Sequence, residues 1–300
     1  MSYAPLVVFV YNRKDHAQKC LENLANNHHA ADSDLYIFSD GAKSEKGLPK
    51  VHEVRDYLES VKDTLGFKSV NITYAEKNKG LAKSVISGVT EVINKYGKVI
   101  VTEDDLVTHV NYIDYMNEAL DFYQNDEHIY SISGYCLPQL QRETDDVYFT
   151  HRGSSWGWAT WADRWNKIDW SMDHFLKNKW NPIMRYKLAK AGLDLYIMMK
   201  NQHKGVIDSW AVRWVYHQTQ HDLMTVYPSH TLLHNVGFDG SGTHQQEMGN
   251  ETYDNLDAVN YKLVPYVYDK EMAMRFRNEY TWPVSDFIVY KTKELLGVKK

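Results

Sequence analysis

Cysteine and long apolar runs are both scarce in this chain. Only two of its 300 residues are cysteine, Cys20 and Cys136, and neither belongs to a CxxC pair. Reduced thiols are therefore expected, as in cytoplasmic proteins, and a disulfide framework is not. No hydrophobic stretch approaches the roughly 18 residues of a membrane-spanning helix, and residues 1–5 lack the basic start of a signal peptide. We expect a cytoplasmic protein without a spanning anchor.

Several well-known binding signatures are missing too. The sequence contains no GxGxxG or GxxxxGK loop, which argues against a Rossmann dinucleotide site and a P-loop. His217 and His221 are four residues apart, but Gln218-Thr219-Gln220 between them supplies no glutamate base, so a zinc site is not expected there. The formal net charge of −5 provides no basic field, so nucleic acid is not an expected partner.

What the first half does contain is a regular alternation of apolar runs and helical patterns. Four apolar runs predict buried strands, at residues 6–11, 35–39, 70–74 and 98–102. Helical patterns follow them, at residues 14–27, 50–64, 80–96 and 111–124. This order predicts βαβ units with right-handed crossovers, and hence an α/β fold whose mixed, mostly parallel sheet has helices on both faces.

The fourth of these strands runs straight into three carboxylates, Glu103, Asp104 and Asp105. Acids at the carboxyl end of a buried strand lie at the edge where open α/β sheets bind their ligands. Three adjacent negative charges repel one another, and a divalent cation carrying a diphosphate would compensate them. The alternative is a solvated acidic turn.

Two other strands end in polar residues that reach the same edge. Asn12-Arg13 follows the first strand and Asp40-Gly41 follows the second. Together with the acidic run they predict a nucleotide pocket without a glycine-rich phosphate loop.

The second half changes character. Glycine alternates with tryptophan in residues 152–161, in a chain with 22 Tyr and 9 Trp, which is typical of a ligand-pocket wall or of a packing corner. A helix is predicted from Asp208-Ser209 to about residue 219, with either residue as its N-cap. Residues 234–244 hold three glycines in six positions, which indicates a phosphate-covering lid or a plain surface loop. Residues 284–296 form an amphipathic helical pattern followed by lysines.

In this order the features resemble the GT-A class of nucleotide-sugar-dependent glycosyltransferases, which has a Rossmann-like fold. More narrowly, they resemble inverting, metal-dependent enzymes of the N-acetylglucosaminyltransferase I type and related bacterial enzymes of polysaccharide synthesis. The segments that carry the resemblance are Arg13, Ser39-Asp40-Gly41, Asn78-Lys79-Gly80, Glu103-Asp104-Asp105-Leu106, Gly157-Trp158, Asp208-Ser209-Trp210 and residues 240–244. The match covers residues 5–245.

The resemblance also implies a division of the chain. Residues 1–250 would form the GT-A domain, with a nucleotide-binding half at 1–106 and an acceptor-binding half at 107–250 that includes the lid. Residues 251–300 would form a C-terminal helical extension, for which three roles are open: packing on the domain, oligomer formation or contact with a membrane surface.

The resemblance assigns roles by position. Donor contacts fall to Arg13, Asp40, Asn78, Lys79, Glu103, Asp104, Trp158, Ser241 and His244. Asp40 would accept a hydrogen bond from the base, and Asp105, the last acid of the DxD-like triplet, would ligate Mn²⁺ or Mg²⁺. Asp208 would be the general base. In the family an acid directly precedes the tryptophan, whereas here Ser209 stands in that place and the acid comes one residue earlier.

The expected function is metal-dependent transfer of a sugar from a nucleoside diphosphate sugar, with a UDP-sugar as the first expectation, to a hydroxyl of a glycan or lipid-linked acceptor. Inversion and a role in surface polysaccharide synthesis, at the inner face of the membrane, are expected with it. One alternative is a sugar-phosphate nucleotidyltransferase, although residues 11–15 lack the glycine usual after its first strand. Another is a catalytically silent nucleotide-sugar-binding module.

Overall fold

The computed structural model describes residues 3–238 and 256–281. Its strands are β1 (Leu6–Val10), β2 (Asp34–Ser39), β3 (Ser69–Tyr74), β4 (Lys98–Glu103), β5 (Leu106–Thr108), β6 (Ile129–Ser133), β7 (Tyr148–Thr150), β8 (Trp158–Trp161), β9 (Met224–Tyr227) and β10 (Leu233–Asn235). Its α-helices are α1 (Lys14–Ala25), α2 (Leu48–Val61), α3 (Leu81–Tyr96), α4 (Tyr112–Phe122), α5 (Ala162–Trp165), α6 (Asp173–Asn178), α7 (Pro182–Ala191), α8 (Asp194–His203), α9 (Trp210–Gln220) and α10 (Lys270–Glu279).

Eight of these strands form one sheet in the order β3-β2-β1-β4-β8-β6-β9-β7. Four of its seven pairings are parallel: β1 with β2 and β4, β2 with β3, and β6 with β9. The remaining three are antiparallel and all involve β8 or β7. The expected α/β class with a mixed, mostly parallel sheet is confirmed.

Strand alternation divides the core between the two faces of the sheet. Leu6 and Val8 of β1 belong to one buried cluster together with residues of α1, α2 and α4. Val7 and Phe9 point the other way, into a second cluster that contains the apolar stripe of α3 and residues of α9. Helices therefore cover both faces, which is why β1 is apolar at every position.

The order of the strands places a topological switch point between β1 and β4. The chain winds outward from β1 to β2 and β3, and then returns to the other side of β1 with β4. At such a point the flanking loops diverge and leave a crevice at the carboxyl ends of the strands. The loop after β1 and the acidic turn after β4 both open into this crevice.

The strand β8 differs from the sequence expectation, which assigned no strand to the Gly–Trp segment. It lies antiparallel between β4 and β6, so the sheet continues without interruption from the first half of the chain into the second. An antiparallel neighbour needs no crossover helix, and residues 152–157 carry none of the long apolar pattern that announces a parallel strand.

The described part of the C-terminal extension packs back on the domain. Asn111 exchanges hydrogen bonds with the backbone of Val259, through distances of 2.8 and 3.0 Å. The hydroxyl of Tyr123 donates to the carbonyl of Val264 at 2.6 Å, and Phe276 of α10 is buried beside Tyr227. The predicted helix at 284–296 lies outside the described residues.

The two cysteines are buried and free, as expected. Across residues 3–238 and 256–281, every helix is too short or too polar to cross a bilayer.

Candidate active site

The acidic turn after β4 is tied to the loop after β1 by Arg13. One guanidinium nitrogen of Arg13 donates to a carboxylate oxygen of Asp104 and, at 2.9 Å, to Oδ2 of Asp105. Asp104 is nearly buried, whereas Arg13 and Asp105 each keep part of their surface exposed. The positive charge of Arg13 thus offsets two carboxylates at the carboxyl ends of β1 and β4, where Arg13 and Asp105 are 19% and 16% exposed.

The environment of the triplet raises the pKa values of two of its acids, but only that of Glu103 rises above 7. Removal from water, reinforced by the charges of Asp105 and Asp104, raises the pKa of Glu103 to about 8. Burial also raises the pKa of Asp104, to about 6, although the charge of Arg13 opposes the shift. The site holds more negative charge than Arg13 alone compensates, which favours binding of a further cation.

The segment after β10 lies directly over this turn. The backbone N–H of Val236 donates to the carbonyl of Asp105 at 2.8 Å, and a Cβ atom on Gly237 would fall 2.5 Å from Oδ2 of Asp105. Only glycine permits this approach. The start of the predicted lid is therefore in contact with the predicted metal ligand, while Ser241 and His244 lie outside the described residues.

Asp40 follows β2, which neighbours β1 on the side away from β4. Its carboxylate holds a second turn, formed by residues 78–80. Its carboxylate accepts hydrogen bonds from the backbone N–H groups of Gly41 and Lys79 at 2.8 Å and of Gly80 at 3.0 Å. The side-chain amide of Asn78 is a fourth donor, at 3.0 Å. A carboxylate has about four lone-pair positions, so Asp40 is saturated by its own chain and holds the 78–80 turn in place.

Asp40 and Asp104 flank the end of β1. The N–H of Asp40 donates to the carbonyl of Val10, and the N–H of Asp104 donates to the carbonyl of Phe9. Because neighbouring strands are about 4.8 Å apart, the two acids stand roughly 10 Å from each other across the crevice. That span is comparable with a nucleoside diphosphate.

Arg55 supports the loop that follows β2, although the sequence analysis did not single it out. From the second turn of α2 it donates to the carbonyls of Ala75 at 2.7 Å and Asp40 at 3.3 Å, so it joins the ends of β2 and β3. Nothing in the spacing of this helix distinguishes it from the other surface cations.

Trp158 does not line the crevice, which corrects the expectation for this residue. It is 1% exposed and packs against the indoles of Trp165, Trp210 and Trp214, with ring centroids 4.7 to 5.5 Å apart. Trp158 is part of β8 in the middle of the sheet, where alternation directs it into the α3–α9 core.

The indole that reaches the segment over the acidic turn is instead that of Trp156, two residues earlier. It is partly exposed and contacts Phe238, which adjoins Gly237 over the acidic turn, at a centroid distance of 5.7 Å. The Gly–Trp alternation indicates a pocket wall or a packing corner, but it does not predict which of its indoles lies at the edge of the sheet.

Residues 153–157 also spell Gly-Ser-Ser-Trp-Gly, a GxSxG pattern. A nucleophile elbow needs a strand before the serine and a helix after it. Here the segment leads into β8, so the pattern does not place Ser155 on such a turn.

Asp208 lies beside the 78–80 turn and is free of a capping role. Ser209 is the N-cap of α9, since its hydroxyl accepts from the N–H of Val212 at 3.3 Å. The side chain of Asp208 is 64% exposed, with Oδ1 4.0 Å from a guanidinium nitrogen of Arg213. A Cβ atom on Gly80 would be 3.3 Å from its Oδ2. The carboxylate is thus accessible next to the turn that Asp40 holds.

A cavity of about 850 Å³ opens beside Asp208. It runs along α3 and is lined there by polar side chains such as Ser87 and Asn94, with Trp170 and Arg213 on the opposite wall. A half-exposed indole, hydroxyls, amides and a guanidinium are groups that suit a sugar ring, which has both apolar faces and hydroxyl edges.

The donor set at the acidic turn fits a hard divalent cation that is shared with a phosphate ligand. Within the described part of the chain, no three His, Cys, Asp or Glu side chains converge into a protein-only metal cage. Mg²⁺-type sites need only one or two carboxylates, the other ligands being water and substrate phosphates. Asp105 offers one such carboxylate, which remains partly exposed beside Arg13.

No family model matches the sequence, and no curated protein does. Among solved structures, GalNAc-T7 with UDP, GalNAc and Mn²⁺ is 12% identical over 81% of this chain and 46% of that chain, with a TM-score of 0.49. The mannosyltransferase PcManGT from Pyrobaculum calidifontis, in complex with GDP-Man and Mn²⁺, is 13% identical over 72% of this chain and 68% of its own, with a TM-score of 0.40.

TarS from S. aureus is 12% identical over 47% of this chain, with a TM-score of 0.35, and this chain spans 24% of its length. The chain thus spans from about a quarter to about two-thirds of the length of these three proteins. Since all three TM-scores are below 0.5, the function proposed below rests on the residues of this chain.

Proposed function

We propose that this chain is a metal-dependent glycosyltransferase that uses a nucleoside diphosphate sugar as donor and a glycan or lipid-linked hydroxyl as acceptor. The observation that carries the proposal is the crevice at the switch point. Arg13, Asp104 and Asp105 line one side of it, the turn held by Asp40 lines the other, and Asp208 stands exposed beside that turn.

In this assignment Asp105 holds Mn²⁺ or Mg²⁺, and the cation supplies charge neutralisation for the diphosphate as it leaves. Arg13 lies within reach of the same phosphates. Asp40 acts as a positioning residue rather than as an acceptor for the base, because its oxygens are occupied by the 78–80 turn. Asn78 and Lys79 present that turn to the nucleotide, and Glu103 and Asp104 are assigned contacts with the ribose and the donor sugar.

Asp208 is assigned as the general base. The acceptor hydroxyl attacks the anomeric carbon, the bond from that carbon to the diphosphate oxygen breaks, and the hydroxyl proton passes to the carboxylate. An attack opposite the leaving group inverts the anomeric centre. The acceptor would lie in the cavity along α3, and Trp156 would contact the donor in place of Trp158.

Within this class, we keep the N-acetylglucosaminyltransferase I type and its bacterial relatives in polysaccharide synthesis as the expected group, with UDP as the expected nucleotide. The segment that supports this choice is the Glu103-Asp104-Asp105-Leu106 run.

A thermal-shift screen of nucleoside diphosphate sugars, with and without Mn²⁺, tests donor binding directly. A ligand that binds only the native state at 100 times its Kd stabilises it by about 2.7 kcal/mol. We expect a rise in Tm that requires both donor and metal and that disappears in Asp105→Asn. The proposal is rejected if no nucleotide sugar shifts Tm in the presence of metal.

A second assay on the same protein distinguishes a transferase from the two alternative functions, a silent binding module and a nucleotidyltransferase. Release of nucleoside diphosphate, by transfer or by slow donor hydrolysis, supports a transferase. Binding without either reaction would indicate a silent module. Release of pyrophosphate from a nucleoside triphosphate and a sugar phosphate would indicate a nucleotidyltransferase.

A further inference from the structure

A stretch of strong positive charge interrupts an otherwise acidic chain. From residue 174 to residue 193 there is no Asp or Glu, while five cations occur, namely Lys177, Lys179, Arg185, Lys187 and Lys190. The whole chain has a formal net charge of −5, so this concentration departs from its average composition. The stretch includes α6 after its first residue, Asp173, together with α7 and the turn between the two helices.

The same stretch exposes three large apolar side chains. Trp180 is 75% exposed, Ile183 is 67% exposed and Tyr186 is 68% exposed. Ile183 and Tyr186 are three residues apart on α7 and so lie on one side of this helix, and Trp180 lies in the turn directly before it. The opposite face of α7 is used for packing, because Met184, Leu188 and Ala191 are buried against α8 and α9.

Cations lie beside the two aromatic side chains of this group. The guanidinium of Arg185 lies 5.1 Å from the ring centroid of Trp180, and the ammonium of Lys190 lies 5.7 Å from that of Tyr186. Asp222 neutralises part of this charge, since it pairs with Lys187 at 2.8 Å and with Lys190 at 2.6 Å.

The other cations of the stretch are not neutralised in this way. Among the residues that the structure describes, Lys177, Lys179 and Arg185 have no carboxylate within salt-bridge distance. We call the group formed by Lys177, Lys179, Trp180, Ile183, Arg185 and Tyr186 the aromatic–basic surface. It combines an uncovered apolar centre with uncompensated positive charge.

Two kinds of partner suit exposed aromatic residues, and the composition distinguishes them. Protein–protein interfaces are enriched in aromatic residues and arginine but depleted in lysine. Membrane surfaces attract both cations, because anionic headgroups interact with lysine and arginine alike, while tryptophan and tyrosine rings settle at headgroup level. Four of the five cations here are lysines.

We propose that the aromatic–basic surface docks the protein peripherally on an anionic lipid bilayer. Trp180, Ile183 and Tyr186 enter the interfacial layer, and the neighbouring lysines contact the lipid phosphates. The helix α7 has only ten residues, so it lies on the bilayer and does not cross it. This contact is independent of the C-terminal tail and of the proposed transferase activity.

The test uses the full chain and vesicles of two compositions, pure phosphatidylcholine and phosphatidylcholine with phosphatidylglycerol. We expect co-sedimentation with the anionic vesicles that declines with salt, and little with the neutral ones. Reversal of two charges in Lys177→Glu/Lys179→Glu should weaken binding more than tenfold. The triple variant Trp180→Ser/Ile183→Ser/Tyr186→Ser should abolish it.

A matched control removes three exposed apolar residues elsewhere, in Phe122→Ser/Val267→Ser/Met274→Ser, and should bind like the parent. All six positions are at least half exposed, so folding can be checked by Tm and circular dichroism. Lack of binding to anionic vesicles overturns the proposal, and so does binding that survives both surface variants or fails equally in the control. A dimer that the triple variant converts to monomer, without vesicle binding, would identify the surface as a protein interface.

Discussion

Two regions of the molecule can be compared. One is the crevice at the carboxyl ends of β1 and β4, and the other is the indole cluster between β8 and α9. Both come from sequence segments for which a ligand site was one of two interpretations, three consecutive acids in the first and alternating glycine and tryptophan in the second. The acids follow the end of β4, where Asp104 and Asp105 pair with Arg13 and Asp105 remains partly exposed. The indoles of Trp158, Trp165 and Trp214 are at most 1% exposed.

The difference follows from position along a strand. Residues just past a strand end leave the hydrogen-bonded ladder and reach the crevice, whereas residues within a central strand must point to one packed face or the other. Charged groups reinforce the first outcome, because they cannot be buried without compensation. Indoles are compatible with either place, so their residue type alone does not locate them.

The largest expected effect concerns the crevice and comes from loss of the charge of Asp105, the proposed metal ligand. Asp105→Asn keeps the size of the side chain but removes its charge, and we expect turnover to fall about a thousandfold or more, because the charge that develops on the diphosphate is no longer neutralised. Initial rates at several Mn²⁺ concentrations measure this. Asp163→Asn, at an exposed carboxylate outside the crevice, should change nothing. Equal activity of Asp105→Asn and the parent would contradict the assignment.

The second prediction concerns the indole cluster. Trp158→Ala should lower the free energy of unfolding by about 3–5 kcal/mol, because it opens a cavity in a packed core. Trp156→Ala, at a partly exposed position, should cost about 1 kcal/mol or less in stability and should instead weaken donor binding. Chemical denaturation and donor titration of both variants test the contrast. A reversed result would place Trp158, not Trp156, at the site.

Asp208 and Ser209 offer a sharper comparison between neighbouring residues. Asp208→Asn should lower kcat about a hundredfold with an unchanged Kd for the donor, since proton removal and not binding is affected. Ser209→Ala should reduce stability by about 1 kcal/mol through loss of the N-cap and should leave kcat nearly intact. If Asp208→Asn mainly destabilises the fold, the general-base assignment is wrong.

The smallest expected effect is a loss of stability in acid that arises in the core and not at the crevice. Burial, with a contribution from the charge of Lys190, lowers the pKa of His151 to about 4. The unfolded chain binds this proton near pH 6.5, so stability falls as the pH decreases from 6.5 towards 4 and levels off below. At pH 5 the loss is on the order of 2 kcal/mol.

His217 contributes to the loss of stability in the same direction, because burial and the nearby His221 lower its pKa, also to about 4. Protonation of Glu103 and Asp104, whose pKa values are raised in the fold, stabilises the protein over the same pH range, so the histidine contribution is read as the difference between parent and variant. Urea unfolding at pH 7 and pH 5 should show that His151→Gln and His217→Gln each lose less stability than the parent on acidification. A profile that both variants leave unchanged would assign the acid sensitivity to other groups.

Much of the structure of residues 3–106 was predictable from local pattern. The four predicted strands and their helices occur within a few residues of their expected bounds, because apolar runs and helical stripes report directly on burial. The polar residues after β1, β2 and β4 could be placed at one edge, since parallel strands end on the same side. Ser209 was recognised as one of two candidate caps.

Other features had no local signal. The sequence did not show that the turn at 78–80 would occupy the carboxylate oxygens of Asp40. It also did not show that Arg55 would link the ends of β2 and β3. Both contacts depend on how segments far apart in the chain meet. The strand β8 was missed because an antiparallel insertion needs neither a crossover nor a long apolar run.

The sequence by itself determined which residues could carry charge to the edge of the sheet, because strand period, helix period and charge are local properties. Only the tertiary structure decided which of them meet: that Arg13 bridges two acids of a distant turn, that Gly237 closes over Asp105, and that Trp158 is buried while Trp156 is not. The physical reason is that these outcomes depend on the packing of segments far apart in the chain. Neither residue type nor periodicity contains that information.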